Sequence, residues 1–224
     1  MKNQTTTEQV EQAVSVLRRG GVVAFPTETY YGLAVDPFND RALERLFSLK
    51  KRAVGKPVLV LVREPGDTTS LVASVPAVYE QLISLFWPGP LTLIFPARPS
   101  LSHWLTGGTG TIGIRQSPHP VALALVTAFG GPITATSANI SGLPPASSAD
   151  MVRAGFGAQP DFFILDGGRT TGRLGSTLVG LDHEGQLWCL REGTLPLETI
   201  NRKIYPREVC RPAHPHDLHA GSGR

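Results

Sequence analysis

Apolar and polar positions alternate along the chain in two rhythms, and the first is helical. Val10, Ala13, Val14 and Leu17 recur at steps of three and four, Thr5 and Glu8 ahead of them have capping-box spacing, and Gly20-Gly21 ends the pattern. Val22 to Phe25 is a short apolar run broken by Pro26, which predicts a buried strand whose end delivers the polar run Thr27-Glu28-Thr29. Strand ends are where α/β folds hold their chemistry. A second helix is predicted with Asp40 as its cap and Leu43, Leu46 and Phe47 on its apolar face. Lys50 continues that face seven residues after Leu43, so a lysine points inward at the helix end.

Further along, Val58 to Val62 predicts a buried strand, Pro76 to Phe86 a helix with Leu82, Leu85 and Phe86 inward, and Trp87-Pro88-Gly89-Pro90 a turn. Strands are predicted at Leu91 to Phe95, Thr111 to Arg115, Ile133 to Thr136, Phe162 to Leu165, Thr177 to Leu181 and Leu187 to Leu190. Helices are predicted at Pro120 to Phe129 and Ser148 to Ala154. Strands alternate with helices early and become hairpin-like late, around Gly185. The expected fold is a single α/β domain, a twisted sheet of mixed parallel and antiparallel strands with flanking helices. It spans residues 7–205. Residues 206–224 are Pro-, His- and Arg-rich without periodicity and read as a flexible tail, in which His214, His216 and His219 are solvated.

Composition narrows the class. At 224 residues, 41% apolar and 17% charged, the chain suits one sizeable core and excludes a largely disordered protein. No apolar run approaches the roughly 20 residues of a membrane span, and Met1 to Glu11 is too polar for a secretory signal, so the expected location is the cytoplasm. Cys189 sits in an apolar strand and Cys210 in the tail, with no metal-ligand spacing around either. The net charge of +3 is modest, yet Arg41, Arg45, Lys50, Lys51, Arg52 and Lys56 lie close together. Such a cluster serves a nucleotide, RNA or plain solubility.

Four constellations carry candidate chemistry, each with an ordinary structural alternative. Lys50, Arg52 and Lys56 are cations at a helix end, where the helix dipole alone selects positive charge. Ser137, Asn139 and Ser141 alternate in a turn after a strand, where small residues let backbone amides approach a phosphate, or simply form an Asx turn. Arg115 ends a strand and suits a carboxylate or a surface ion pair. Gly175-Ser176-Thr177 and Arg191-Glu192-Gly193 place hydroxyls and an arginine at neighbouring strand ends, which turn chemistry explains equally well. There is no G-x-x-x-x-G-K-S/T loop, no G-x-G-x-x-G after a strand and no G-x-S-x-G elbow, and His103 and His119 lack an acid partner.

Taken in order, Pro26-Thr27-Glu28-Thr29-Tyr30-Tyr31-Gly32-Leu33, Lys50-Lys51-Arg52 with Lys56-Pro57, Trp87-Pro88-Gly89-Pro90-Leu91-Thr92, Arg115 with His119-Pro120, Ser137-Ala138-Asn139-Ile140-Ser141-Gly142 and Ser176-Thr177 resemble the YrdC-like family. Lys50, Arg52, Ser137 and Asn139 match the K-x-R and S-x-N signatures of its synthases, and the chain resembles the short, single-domain branch. Ala34 stands where the family commonly has a second glycine, in the loop Gly32-Leu33-Ala34-Val35-Asp36. The resemblance implies a concave basic face and the condensation of L-threonine, bicarbonate and ATP to threonylcarbamoyl-AMP and pyrophosphate, the first step of threonylcarbamoyladenosine modification of tRNA. It implies catalytic Lys50 and Arg52, a threonine site of Thr27, Arg115 and Ser176, and nucleotide contacts from Lys50, Arg52, Lys56, Thr111, Ser137, Asn139, Ser141 and Arg191. ATP is then a substrate accompanied by Mg2+, with no resident metal and no tightly bound cofactor. Partner proteins of tRNA modification, and tRNA itself on the basic face, are further implied; a membrane is not. Two alternatives stand beside this reading: a carbamoyl-adenylate-forming YrdC-like enzyme and a non-catalytic RNA-binding module.

Overall fold

The computed structural model describes residues 5–172, 174–182, 184–204 and 211–212. The first helix, α1 (Thr7–Arg18), buries Val10, Ala13, Val14, Val16 and Leu17. Its capping box lies one residue beyond the expected pair: the Thr6 hydroxyl accepts from the Gln9 amide at 3.2 Å and the Gln9 carboxamide oxygen accepts from Thr6 N at 2.9 Å. A glutamine carbonyl serves the box as well as a carboxylate. Thr5 is thereby released to donate its hydroxyl to the Asp166 carbonyl at 2.9 Å.

Next, β1 (Val22–Pro26) pairs antiparallel with β2 (Tyr31–Ala34), Val23 opposite Ala34 and Pro26 opposite Tyr31. The expected loop at residues 32–36 is therefore largely strand. All four residues of β2 are buried, and Ala34 continues the pairing without a second glycine. In α2 (Asp40–Lys50) the cap is Asn39, whose extended backbone lets its side chain accept from Ala42 N at 3.2 Å. Asp40 lies in the first turn instead, where negative charge favours the helix. Leu43, Leu46, Phe47 and Lys50 are buried as the spacing predicts.

The chain continues through β3 (Val60–Leu61), a 3-10 turn at Pro65–Ser70, α3 (Ala77–Phe86), β4 (Leu91–Pro96) and α4 (His103–Thr106). In α3 the inward residues are Tyr79 and Leu82, while Leu85 is 41% exposed. Tyr79 sets that face: its ring meets Phe95 edge-on at 4.9 Å and its hydroxyl donates to the Ile94 carbonyl at 2.8 Å. Six residues later, Leu85 falls on the far side of a helix with 3.6 residues per turn.

After β5 (Thr111–Arg115) and α5 (Pro120–Phe129) comes the segment that organises the molecule. One strand is expected at Ile133 to Thr136, but the chain changes sheet there. β6 (Ile133–Thr134) pairs with β3, and β7 (Thr136–Ser137) pairs with β2. Ala135 between them donates its amide to the Leu59 carbonyl at 2.7 Å. The remaining elements are α6 (Ala149–Phe156), β8 (Phe162–Ile164), β9 (Thr177–Leu181), β10 (Leu187–Arg191), α7 (Leu197–Lys203) and β11 (Arg211–Pro212). The fold is the expected α/β class with mixed strand directions, its strands shared between two sheets. These run β7-β2-β1-β8 and β11-β10-β9-β4-β5-β3-β6. Two apolar clusters fill the interior, one around Leu43, Leu46, Tyr79 and Phe95, the other around Leu17, Phe25, Leu125 and Ile133.

Of the expected tail, Arg211 and Pro212 pair in parallel with Trp188 and Cys189. Its other residues, with Cys210 and the three histidines, lie outside the described residues. No helix among the described residues is long and apolar enough to cross a membrane.

Candidate active site

The sheet change brings Thr136 and Ser137 beside the ends of β1, β5, β9 and β10, around a cleft of about 470 Å³. Its wall includes Thr27, Arg52, Arg115, Ser137, Ser176 and Arg191. These come from six separate stretches of the sequence, and their reach is decided by local backbone geometry.

At the end of α2, Lys51 adopts the left-handed conformation with φ 49°, and the Arg52 amide closes on the Phe47 carbonyl at 2.9 Å. The turn sends the Arg52 side chain into the cleft wall, over the Phe47 ring at 5.8 Å. Its Nη2 donates to the Pro57 carbonyl at 2.9 Å, while its Nε is buried without a protein partner.

Lys50 goes the other way. It is 1% exposed and does not reach the cleft wall. Its amine donates to the carbonyls of Ser137 and Asn139, the latter at 2.8 Å, and its own carbonyl accepts from Ser141 N at 2.8 Å. Burial above all, with the Arg52 charge adding, brings this amine down to about 7. Lys50, expected as a catalytic cation, holds the 137–141 turn in this structure, because the inward helix face that buries it offers backbone carbonyls as its acceptors.

Within that turn the Ser137 hydroxyl donates to Asn139 Oδ1 at 2.6 Å, and Asn139 Nδ2 donates to the carbonyls of Ile140 and Leu143 at 3.0 and 2.7 Å. Ser137 is the member that lines the cleft; Asn139 and Ser141 shape the loop behind it. Two further expected contacts fall outside the wall. Thr111 sits at the far end of β5, opposite Pro96 and about 13 Å of strand from Arg115. Lys56 is exposed in the loop after α2 and is not part of the wall.

Arg115, 4% exposed, ends β5. Its Nη1 donates to one carboxylate oxygen of Glu28, whose other oxygen accepts from the Ser117 hydroxyl. Arg115 Nε is buried without a protein partner. Burial first, then the nearby Arg191, lowers this guanidinium to about 10, still a cation at neutral pH. Arg191 reaches the cleft after a register shift between Cys189 and Arg191 against β9, the kind of bulge that re-aims a strand-end side chain. Its Nη2 donates to the Ser176 carbonyl at 2.9 Å, and burial lowers its affinity for protons.

Ser176 and Thr92 share a buried hydroxyl pair at 2.8 Å. Thr27 is differently placed: its hydroxyl donates to the Tyr30 carbonyl at 2.7 Å and accepts from Thr29 N at 3.2 Å, with Thr29 Oγ1 a further 3.0 Å neighbour. One donor and two acceptor positions exhaust a threonine hydroxyl, so Thr27 builds the turn at the cleft edge. Spacing alone does not reveal Glu28, the partner of Arg115, or Tyr31 in the cleft wall. Tyr31 lines the cleft and donates its hydroxyl to the Gly168 carbonyl at 2.7 Å, and burial pushes that phenol up to about 12.

Among the described residues, Arg115 has a carboxylate partner, whereas Arg52 and Arg191 form no ion pair. No cluster of three His, Cys, Asp or Glu side chains that could hold a metal is present among them. Three guanidinia line one concavity of this α/β protein, with hydroxyls between them, a chemistry suited to anionic groups.

The chain belongs to the Sua5/YciO/YrdC family, whose model, described as telomere recombination, matches residues 15–193. A threonylcarbamoyl-AMP synthase of Halorhodospira halophila is 40% identical over 167 residues, 75% of this chain and 84% of the relative. One from Escherichia coli O6:H1 is 35% identical over 190 residues, 84% of this chain and 98% of the relative. The crystal structure of P. abyssi Sua5 complexed with L-threonine superposes with a TM-score of 0.85 at 37% identity, covering 92% of this chain and 59% of that one.

Proposed function

We propose that this chain is an L-threonylcarbamoyladenylate synthase, condensing L-threonine, bicarbonate and ATP to threonylcarbamoyl-AMP and pyrophosphate. The observation that carries this reading is the division of labour among the guanidinia. Arg115 is neutralised by Glu28 and keeps a buried N–H for a carboxylate, while Arg52 and Arg191 lack a carboxylate partner and suit phosphates. The synthase name borne by the relatives at 35–40% identity supports it.

In the proposed reaction bicarbonate takes up a proton and loses water to give CO2, and the neutral threonine amine adds to that carbon and releases a proton, leaving a carbamate. A carbamate oxygen attacks the α-phosphorus of ATP, the bond from that phosphorus to its bridging oxygen breaks, and pyrophosphate leaves with the electron pair. Arg115 holds the threonine carboxylate, and Ser176 faces the hydroxyl end. Arg52, Arg191 and Ser137 hold the polyphosphate of ATP, which arrives with its Mg2+. Lys50, Asn139 and Thr27 hold the loops from which these groups project. Catalysis is then charge compensation and proximity, with no protein nucleophile.

The wider reading places the enzyme in the cytoplasm at the start of tRNA threonylcarbamoyladenosine synthesis. Partner proteins of tRNA modification receive its product, and tRNA approaches the concave basic face. Mass spectrometry of enzyme, ATP, L-threonine and bicarbonate should detect threonylcarbamoyl-AMP. Product made from carbamoyl phosphate without threonine, or RNA binding without any ATP turnover, would replace this reading.

A further inference from the structure

Glu28 stands at the tip of the β1–β2 turn, 87 residues from Arg115 in sequence, and both of its carboxylate oxygens are engaged, one by Arg115 and one by Ser117. The turn itself is held on both sides. Thr27 N donates to the Tyr30 carbonyl at 3.1 Å, and the Thr171 hydroxyl donates to the Glu28 carbonyl at 3.0 Å. Ser117 is fixed in its turn, its hydroxyl accepting from His119 N at 3.2 Å. Arg115 forms part of the cleft wall, with Thr27 and Thr29 on either side of Glu28 in sequence, and Glu28 itself does not.

This arrangement answers a problem the cleft poses. Three guanidinia surround one concavity, and the proposed substrates bring a single carboxylate and a far more highly charged polyphosphate. Left to Coulomb attraction, the polyphosphate would occupy every cation and displace the amino acid. A guanidinium already paired with a buried carboxylate carries little net charge. It still offers directed N–H groups to a carboxylate, while its reduced net charge gives a triphosphate less Coulomb attraction. Arg52 and Arg191, without such a partner, keep their full charge.

We infer that Glu28 is a positioning and specificity-determining residue: it fixes one side of Arg115 and cancels its charge, reserving that guanidinium for the amino-acid carboxylate and turning the polyphosphate toward Arg52 and Arg191. The inference rests on the synthase reading. It assigns Glu28 no contact with substrate.

Glu28→Gln keeps the shape and removes the charge. Calorimetric titration should show L-threonine binding weakened on the order of tenfold, the scale of one charge-assisted hydrogen bond, with ATP binding unchanged or tighter. In steady state the KM for threonine should rise while kcat at saturating threonine holds within a few-fold. Pyrophosphate should become competitive with threonine in the variant. A purely structural role would lower threonine and ATP affinity together, and that result overturns the inference, as does unchanged threonine affinity. If Glu28→Gln does not fold, Ser117→Ala releases the second carboxylate oxygen and must show the same KM-specific loss in smaller measure, or the inference fails. Wild-type protein that binds no L-threonine removes the synthase reading and this inference with it. Wild-type binding with an indifferent variant removes the inference alone.

Discussion

The side-chain amine of Lys50 donates to the carbonyl oxygen of Asn139 at 2.8 Å, so a lysine of one helix end holds the turn that presents Ser137 to the cleft. Lys50→Met keeps the length and apolar stem but takes the donor from the Asn139 carbonyl and leaves the Ser137 carbonyl with its 3.0 Å bond from Asn139 N alone, an expected cost of about 2 kcal/mol. Activity should fall as well, since the turn loses its clasp. The pH dependence is a sharper readout. The folded amine lies near 7, below the 10.5 of an ordinary lysine, so between those values the unfolded chain binds the extra proton. Stability from this group therefore rises with pH from about 7 to about 10.5 and is flat below that window. Urea midpoints at pH 7 and pH 9 should increase more in wild type than in Lys50→Met. Equal slopes would mean the amine is not desolvated in the folded protein.

Arg52 calls for the opposite outcome. Among the described residues its side chain donates one hydrogen bond, to the Pro57 carbonyl, and forms no ion pair. Arg52→Ala should leave the melting temperature within a few degrees while costing about 3 kcal/mol of transition-state stabilisation, roughly a hundredfold in kcat/KM. Arg52→Lys should recover little of this, because an ammonium cannot reproduce the planar donor fork. Thermal melts alongside product assays settle the matter, and a variant as active as wild type moves the phosphate site away from this helix end.

Arg115 joins stability to binding. Arg115→Met strands the Glu28 carboxylate in a half-buried site, with an expected loss of about 3 kcal/mol. Adding Glu28→Gln to that variant should restore part of the stability but none of the threonine binding. A double-mutant cycle by denaturation checks the coupling, and additive losses would show that the two side chains do not interact.

How far these roles are legible in the sequence depends on how local their causes are. The inward Lys50 follows from its place seven residues after Leu43, and Arg115, Ser176 and Arg191 follow from the ends of apolar runs. Periodicity reports which way a side chain points. It cannot report what meets it there. The carbonyls that capture Lys50 lie 87 and 89 residues away, and the acid that pairs with Arg115 lies 87 away. Thr27 and Asn139 look free in sequence for the same reason: their hydroxyl and amide groups find partners within their own turns once these close. The division into two sheets is hidden in a single strand-like run, because Ile133 to Ser137 has the same composition whether it pairs with one neighbour or two.

Gly193 tests the scaffold behind the threonine end. A Cβ there would lie 2.2 Å from the Gly175 carbonyl oxygen and 2.6 Å from the Ser176 carbonyl carbon, both backbone atoms with little room to yield. The Gly193 amide also donates to Thr177 Oγ1 at 2.9 Å, tying the end of β10 to the start of β9. Gly193→Ala should therefore destabilise by about 2 kcal/mol and push Ser176 out of register with the cleft. Melting curves and threonine KM should both move, and a silent substitution would show that this strand end is not tightly packed.

On the proposed reading, substrate choice turns on Ser176 at the cleft wall, whose hydroxyl pairs with that of buried Thr92 at 2.8 Å. One hydrogen of the pair is used between its two oxygens, which leaves the second hydrogen and spare lone pairs for a hydroxylated amino acid. Serine lacks only threonine's methyl group, whose burial is worth about 1 kcal/mol, so serine should react roughly fivefold less efficiently and remain a substrate. Valine keeps the branched shape and loses the hydroxyl, stranding a polar partner at a loss of about 2 to 3 kcal/mol, so it should trail threonine by roughly a hundredfold. Ser176→Ala should narrow the gap between threonine and valine, since the wall then has less to leave unsatisfied. Arg115→Met should lower all three amino acids alike, because each carries the carboxylate. Product formation with the three at equal concentration decides the point: valine ahead of serine would mean that the cleft reads shape and ignores the hydroxyl.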